Sequence, residues 1–247
     1  MSFDYDSVAG DYQYRALNSG HPMQRFWHRG KLRMIDRLIR PYVGAGSRLL
    51  EIGCGAGNLR LQASVHGSYP VALDLSMQAL TFVRSRLEEA TSGAESPIAY
   101  ACTQAVGESL PFTPGSFDCV LMSEVIEHLE APEISICEAV RVLRPGGRLL
   151  ITTPNYRSFW PLMEWLVDRL NMAPKMAGEQ HISRFHPDAL ETLLARSGLR
   201  LDYSGSIYQF SPFLSLVSPE QAERQLQREL RQRSSRGMIL VAVGIKR

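Results

Sequence analysis

Short apolar runs alternate along this chain with longer segments in which apolar residues recur at helical spacing. Leu49, Leu50 and Ile52 form a run without polar alternation, the pattern of a strand covered on both faces. Comparable runs predict strands at Tyr69–Leu75, Ile98–Cys102, Cys119–Met122, Arg148–Thr153, Leu199–Ile207 and Gly237–Ile245. Helices are predicted between them: Asn58–His66, Met77–Ala90 with Ser76 as its N-cap, and a segment from Pro132 that turns Ile136, Cys137, Val140 and Leu143 inward and stops at Pro145-Gly146-Gly147. Another helix starts at His186-Pro187-Asp188 and is closed by Gly198, and Glu220–Arg236 reads as a highly charged helix with a solvated face. Upstream, Arg25–Tyr42 places Phe26, Ile35, Leu38 and Ile39 at rough helical spacing. Strands alternating with helices predict an α/β fold, a mostly parallel sheet with helices on both faces.

A chain of 247 residues with 45% hydrophobic content suits one domain with embellishments. A net charge of +2 gives no reason to expect a nucleic-acid partner. Cys54, Cys102, Cys119 and Cys137 lie in apolar or glycine-rich segments without C-x-x-C spacing, which favours reduced thiols over disulfides or zinc ligands. The acidic start, Met1-Ser2-Phe3-Asp4, lacks the apolar core of a signal peptide, and no run is long enough to cross a bilayer, so a cytoplasmic location is the default.

The first predicted strand runs into Glu51-Ile52-Gly53-Cys54-Gly55-Ala56-Gly57. Three glycines let the backbone bend sharply and let a ligand approach without meeting a Cβ, and the helix that follows points its N–H groups at that ligand. A lone G-x-G-x-G is shared with dinucleotide-binding turns. Glu51, two positions before the first glycine, is different: a carboxylate there suits a cationic amino group. Asp74, at the tip of the neighbouring strand, stands where a ribose diol is held by two hydrogen bonds.

The E-x-G-x-G-x-G pattern resembles the first motif of the class I S-adenosylmethionine (SAM)-dependent methyltransferases. That resemblance runs from about Tyr5 to Gly198 and implies a Rossmann-like sheet in the order 3-2-1-4-5-7-6 with the last strand antiparallel. It implies SAM as cofactor, bordered by Glu51, Gly53, Gly55, Gly57, Asp74, Leu75, Met77, Gly107, Glu108 and Ser123. The Tyr5, Asp6, Ala9, Tyr12 pattern resembles the N-terminal cap that small-molecule members close over SAM, which adds Tyr12. Val106 departs from the family, whose members carry an acid there for the adenine amino group; Gln104, backbone or water takes over that bond.

The expected organisation is an N-terminal helical cap (1–46), a SAM-binding core (47–155), a helical lid insertion (156–186) and a C-terminal part of the core with a charged helix (187–247). In the insertion, Phe159, Trp160, Leu162, Met163, Leu166, Val167 and Leu170 give an apolar side, with Glu164, Asp168 and Arg169 opposite. A lid over a hydrophobic acceptor, a homodimer contact and peripheral membrane docking through 156–180 all suit such a stripe.

SAM carries an activated methyl group, so the protein must supply alignment, water exclusion and a nucleophilic acceptor. Glu124, Glu127 and His128 fall at i, i+3 and i+4, one side of a helical turn. Three roles fit. His128 is a general base; or Glu124, Glu127 and His128 join the distant His181 in holding a divalent metal; or Glu127 and His128 only cap the turn. The E-x-x-E-H pattern with a later His resembles the metal set of small-RNA 2′-O-methyltransferases, and Glu127-His128 with a later His-x-x-x-Phe (His181 to Phe185) also resembles quinone-biosynthesis O-methyltransferases. The expectation is a SAM-dependent methyltransferase acting on a small, lipophilic acceptor, with O-methylation favoured and Glu127, His128 and His181 as candidate catalytic groups. A metal-dependent RNA 2′-O-methyltransferase and a SAM-binding protein without turnover are the alternatives.

Overall fold

The computed structural model describes residues 9–18, 21–58, 68–91, 101–169 and 180–247. The expected helix beyond Asn58, residues 98–100 of the third expected strand, Tyr5 and Asp6 of the aromatic pattern, and Leu170 of the insertion lie outside the described residues.

Seven strands, β1 (Arg48–Ile52), β2 (Tyr69–Asp74), β3 (Ala101–Gln104), β4 (Phe117–Ser123), β5 (Leu143–Pro154), β6 (Leu199–Ile207) and β7 (Ile239–Lys246), form one sheet. Its order is β3-β2-β1-β4-β5-β7-β6. β7 runs antiparallel between β5 and β6, and the remaining pairs are parallel. β3 continues beyond the predicted Cys102 because the parallel register with β2 holds to the pair Asp74–Gln104. β5 begins earlier than expected, at Leu143, which already pairs with Phe117 ahead of a register shift.

Eight described helices surround the sheet: α1 (Tyr12–Asn18), α2 (Pro22–Ile39), α3 (Met77–Thr91), α4 (Pro132–Val142), α5 (Trp160–Arg169), α6 (Pro187–Arg196), α7 (Ser211–Leu214) and α8 (Pro219–Gln232). Their starts are written locally. His21, His186 and Ser218 are N-caps whose side chains accept from Met23, Ala189 and Gln221 N–H, each followed by proline at the first helical position. β1 feeds both faces of the sheet: Leu49 joins α2 and α8 in one core, while Leu50 and Ile52 join residues of α4 and α6 in the other. Among the described residues no helix is long and apolar enough to cross a membrane.

The charged helix is not simply a solvated face. α8 buries Ala222, Leu226, Leu230 and the carboxylate of Glu229. Glu229 accepts from the N–H groups of Tyr208 (2.8 Å), Phe210 (3.1 Å) and Ser211 (3.2 Å) and from the Ser211 hydroxyl (2.9 Å). These bonds satisfy a buried charge and hold a turn in which Tyr208 adopts a positive φ of 68°. Tyr208 is fully buried, stacks on Trp27 with ring centroids 4.3 Å apart and donates its hydroxyl hydrogen to the Trp27 carbonyl.

Gly30 sits under this contact. A Cβ there would lie 2.6 Å from the Tyr208 hydroxyl and 2.9 Å from Leu226 Cδ2. Exchanging Gly for Ala inside a helix ordinarily stabilises it by about 0.5–1 kcal/mol. Here overpacking against an anchored ring reverses the sign, and Gly30→Ala is expected to destabilise by about 1–2 kcal/mol net in urea unfolding; a gain in stability would contradict the packing described.

One turn away, burial and then the Lys31 ammonium push the His28 imidazole from its ordinary 6.5 down to about 3. Between those values the unfolded chain binds a proton that the folded chain refuses, so this histidine makes stability fall as pH falls from about 6.5 towards 3. His28→Gln should flatten that part of the stability–pH curve relative to the parent chain, read by denaturant midpoints at several pH values.

Candidate active site

The carboxyl ends of β1, β2, β3 and β4 lie side by side, and each ends in a chemically distinctive residue. After β1 the chain bends through Gly53, Gly55 and Gly57, with φ of 68°, 49° and 67°. A Cβ on Gly53 would come within 2.5 Å of Val125 Cγ2, and one on Gly55 within 2.6 Å of Gln13 Oε1. The turn is therefore pressed between the loop after β4 and α1. Behind it, Glu51 is only 4% exposed.

Asp74 locks the turn to the tip of β2. Its Oδ2 accepts from Gly55 N–H at 2.8 Å and its Oδ1 from Ser76 N–H at 2.9 Å. Burial raises its carboxyl above the ordinary value, while these N–H groups pull the other way. Ser76 caps α3 as expected, accepting from Ala79 N–H. Beyond it Leu75 and Met77 are exposed at the open edge. Gln104 ends β3, and its side-chain amide donates to the Leu75 carbonyl at 2.9 Å. Val106 is exposed, and Gly107 lies where a Cβ would meet Ser135 Oγ at 2.6 Å, with Glu108 half-buried beside it. On α1, which covers the turn, Tyr12 is half-buried, and burial raises its phenol pKa. The neighbouring Tyr14 packs on Phe82 and Arg86 of α3.

The segment after β4 corrects the expected single helical face. Glu124 has φ 58°, and only Ile126–His128 form a turn, of 3-10 type. Glu124 consequently points away from Glu127 and His128: its Oε1 accepts from Thr152 Oγ1 at 2.9 Å and its Oε2 faces Lys31 Nζ at 3.7 Å. Ser123 bonds the same Thr152 hydroxyl at 3.0 Å. Glu124 is thus removed from the expected ligand set.

Glu127, His128 and His181 do come together, with one potential ligand atom from each lying within 4.8 Å of the others. Backbone bonds bring them there, because the Glu127 carbonyl accepts from both Ile182 and Ser183 N–H at 2.9 Å. The Ser183 hydroxyl adds a bond to the Leu129 carbonyl. Glu127 itself is fully buried. Oε2 accepts from Thr153 Oγ1 at 3.0 Å, whereas Oε1 has no hydrogen-bond partner among the described residues. Burial, reinforced by the charge of Glu124, raises its carboxyl well above the ordinary range. His128 has Nδ1 2.8 Å from the Gln180 carbonyl, and burial is the main reason that its pKa falls to about 4. A carbonyl only accepts, so Nδ1 carries the hydrogen and the lone pair resides on Nε2.

α5 departs from expectation in one instructive way. Phe159, Leu162, Trp165 and Leu166 are exposed, whereas Glu164, assigned to the polar face, is 3% exposed. It turns inward to His181 Nδ1 at 2.5 Å and to the Tyr156 hydroxyl at 2.8 Å. Sequence reasoning missed Glu164, Tyr156, Gln13 and Lys31. For Glu164 a signal existed: one carboxylate inside the apolar run Trp160-Pro161-Leu162-Met163-Glu164-Trp165. Beside it lies a cavity of about 640 Å³ lined by Tyr156, Pro161, Glu164, Trp165, Asp168, Arg169 and Arg184. A larger hollow of about 1080 Å³ between α2 and α8 is lined mainly by arginines, with Glu220 and Glu223, and includes none of the candidate site residues.

Known proteins are similar to this chain in sequence and in fold. The methyltransferase domain family matches residues 50–151. A ubiquinone biosynthesis O-methyltransferase from Xylella fastidiosa is 29% identical over 223 residues, 85% of this chain and 88% of that protein. Another so named, from Chromobacterium violaceum, is 31% identical over 194 residues, 77% of this chain and 76% of its own. In fold, a SAM-dependent methyltransferase from Thermotoga maritima, described as a possible histamine N-methyltransferase, superposes with a TM-score of 0.67 over 98% of both chains at 19% identity. With the glycine turn between two acids, the seven-stranded order and relatives aligned over most of their length, the chain belongs to the class I SAM-dependent methyltransferases.

Proposed function

We propose that the chain methylates a hydroxyl of a small, lipophilic acceptor of the phenol or quinol type, held at Glu127, His128 and His181. The observation that carries this reading is the convergence of a buried carboxyl and two imidazoles at 4.8 Å or less, with the Nδ1 of each imidazole engaged elsewhere so that its Nε2 is left to accept. Such a cluster is poorly suited to an acceptor that brings only lone pairs. It is well suited to one that brings an O–H. The ubiquinone biosynthesis O-methyltransferases to which the chain is similar support a lipophilic acceptor, as do the exposed Phe159, just before α5, and Leu162, Trp165 and Leu166 on it, which offer an apolar cover.

SAM supplies a methyl group already activated on a sulfonium. This chain's residues would bind its ends: Glu51 the amino group, the bent backbone of Gly53, Gly55 and Gly57 the neighbouring polar atoms, and Asp74 the ribose diol. Each oxygen of Asp74 accepts one backbone hydrogen and retains a second lone pair for a hydroxyl. Leu75, Met77, Gly107 and Glu108 would border the adenine, with Ser123 and Tyr12 closing the methionine side. At the cluster, a neutral imidazole Nε2 is the proton acceptor for the attacking hydroxyl, and the low pKa of His128 keeps it neutral well below pH 7. The donor set also fits a divalent cation, for which Glu127, His128 and His181 would be the protein ligands. Glu127 Oε1 is the buried oxygen that such a charge would satisfy. Its chemistry there is to acidify a hydroxyl bound beside it.

Two substitutions separate the halves of the site. Asp74→Ala should weaken SAM binding by about 1–3 kcal/mol in calorimetry through loss of charge-assisted bonds; an unchanged affinity would remove the cofactor from this edge. His128→Ala should leave SAM affinity nearly intact and lower kcat about 10²–10⁴-fold with a lipophilic catechol or quinol as acceptor. Retained turnover would reduce His128 to a local hydrogen-bond partner.

A further inference from the structure

Glu164 is costly to bury, and its neighbours on α5 show that packing alone did not require a carboxylate there. A leucine or methionine would fill the position at no desolvation penalty. The charge is kept by two donors on one oxygen: Glu164 Oε1 lies 2.5 Å from His181 Nδ1 and 2.8 Å from the Tyr156 hydroxyl. Tyr156 and His181 stand 3.2 Å apart, and because both donate to the carboxylate, that distance is the spacing of two donors on a shared acceptor. Tyr156 is itself anchored, its N–H donating to the Phe185 carbonyl at 2.9 Å.

We infer that Glu164 is a positioning residue: it holds the hydrogen of His181 on Nδ1, aims the Nε2 lone pair at Glu127 and His128, and makes α5 part of the reacting cluster rather than only its cover. An ionised carboxylate on Nδ1 fixes the ring's tautomer and orientation and raises the basicity of the other nitrogen. The His128 and His181 rings are 5.1 Å apart at 50°, so a rotation of His181 would separate the nitrogens that now converge. The inference rests on the proposed role of the cluster.

The test uses the full chain with Glu164→Gln and Glu164→Leu, and His181→Ala as reference. Nitrogen-15 chemical shifts of His181 in the parent should report the Nδ1–H form. Glu164→Leu should shift part of the population to Nε2–H, and Glu164→Gln, whose side-chain carbonyl still accepts, should lie between. kcat should fall about 10–100-fold in Glu164→Leu and less in Glu164→Gln, with the SAM KM unchanged, and Co²⁺ affinity measured by its absorption bands should weaken over the same range. Unaltered SAM affinity and melting temperature in Glu164→Gln guard against a folding defect. If His181→Ala loses turnover while Glu164→Leu keeps parental shifts and kcat, this inference alone is overturned. Full turnover in His181→Ala would overturn the cluster reading and this inference together.

Discussion

The two backbone hydrogen bonds accepted by Asp74 are the constraint from which the cofactor side of the molecule follows. β1 and β2 are joined along their length by parallel pairing, but their tips diverge into a glycine turn and a helix start. One carboxylate spans that gap by taking Gly55 N–H on one oxygen and Ser76 N–H on the other. A turn built from three residues at positive φ has no intrinsic preference for its bent form over others, since glycine resists it least and rewards it least. Anchoring its middle N–H converts a permissive backbone into a fixed one, and α1 and Val125 then pack against it closely enough that a Cβ would collide. The same acid that suits a ribose is therefore also a structural tie.

The cluster of Glu127, His128 and His181 depends on a different device. Glu127 contributes twice: its main-chain carbonyl collects the N–H groups of Ile182 and Ser183, and its side chain lies buried with one oxygen held by Thr153. The first contact brings His181 across more than fifty residues of intervening chain to within reach of His128; the second sets a buried carboxyl beside those two imidazoles.

The C-terminal hairpin reinforces this from the opposite face. Glu229 cages the turn at Tyr208, Tyr208 seats on Trp27 and over Gly30, and α2 is thereby fixed where Lys31 reaches Glu124. Trp27 in turn meets Trp160 at 5.8 Å, so the α2 packing continues into α5 and its Glu164. Three buried carboxylates, at 127, 164 and 229, each mark a place where distant segments are pinned together.

The strand and helix alternation, the helix caps, the glycine turn and the placement of Asp74 were legible in the linear chain because each depends on residues within a few positions of one another. Even the sheet order was accessible through the resemblance that those local motifs carry. What escaped depended on partners far apart. Glu124 has the spacing of a helical neighbour of Glu127 and His128, yet a positive φ and the distant Thr152 and Lys31 turn it elsewhere. Glu164 has the polarity of a solvated face, yet His181 and Tyr156 draw it inward; α8 has the composition of an exposed helix, yet Glu229 finds four donors in a turn eighteen to twenty-one residues before it. By itself, the sequence determined which elements form and that a glycine turn and two acids stand at the carboxyl ends of neighbouring strands. Only the folded chain decided which carboxylates are solvated and which are enclosed, because burial of a charge is settled by donors that periodicity cannot locate.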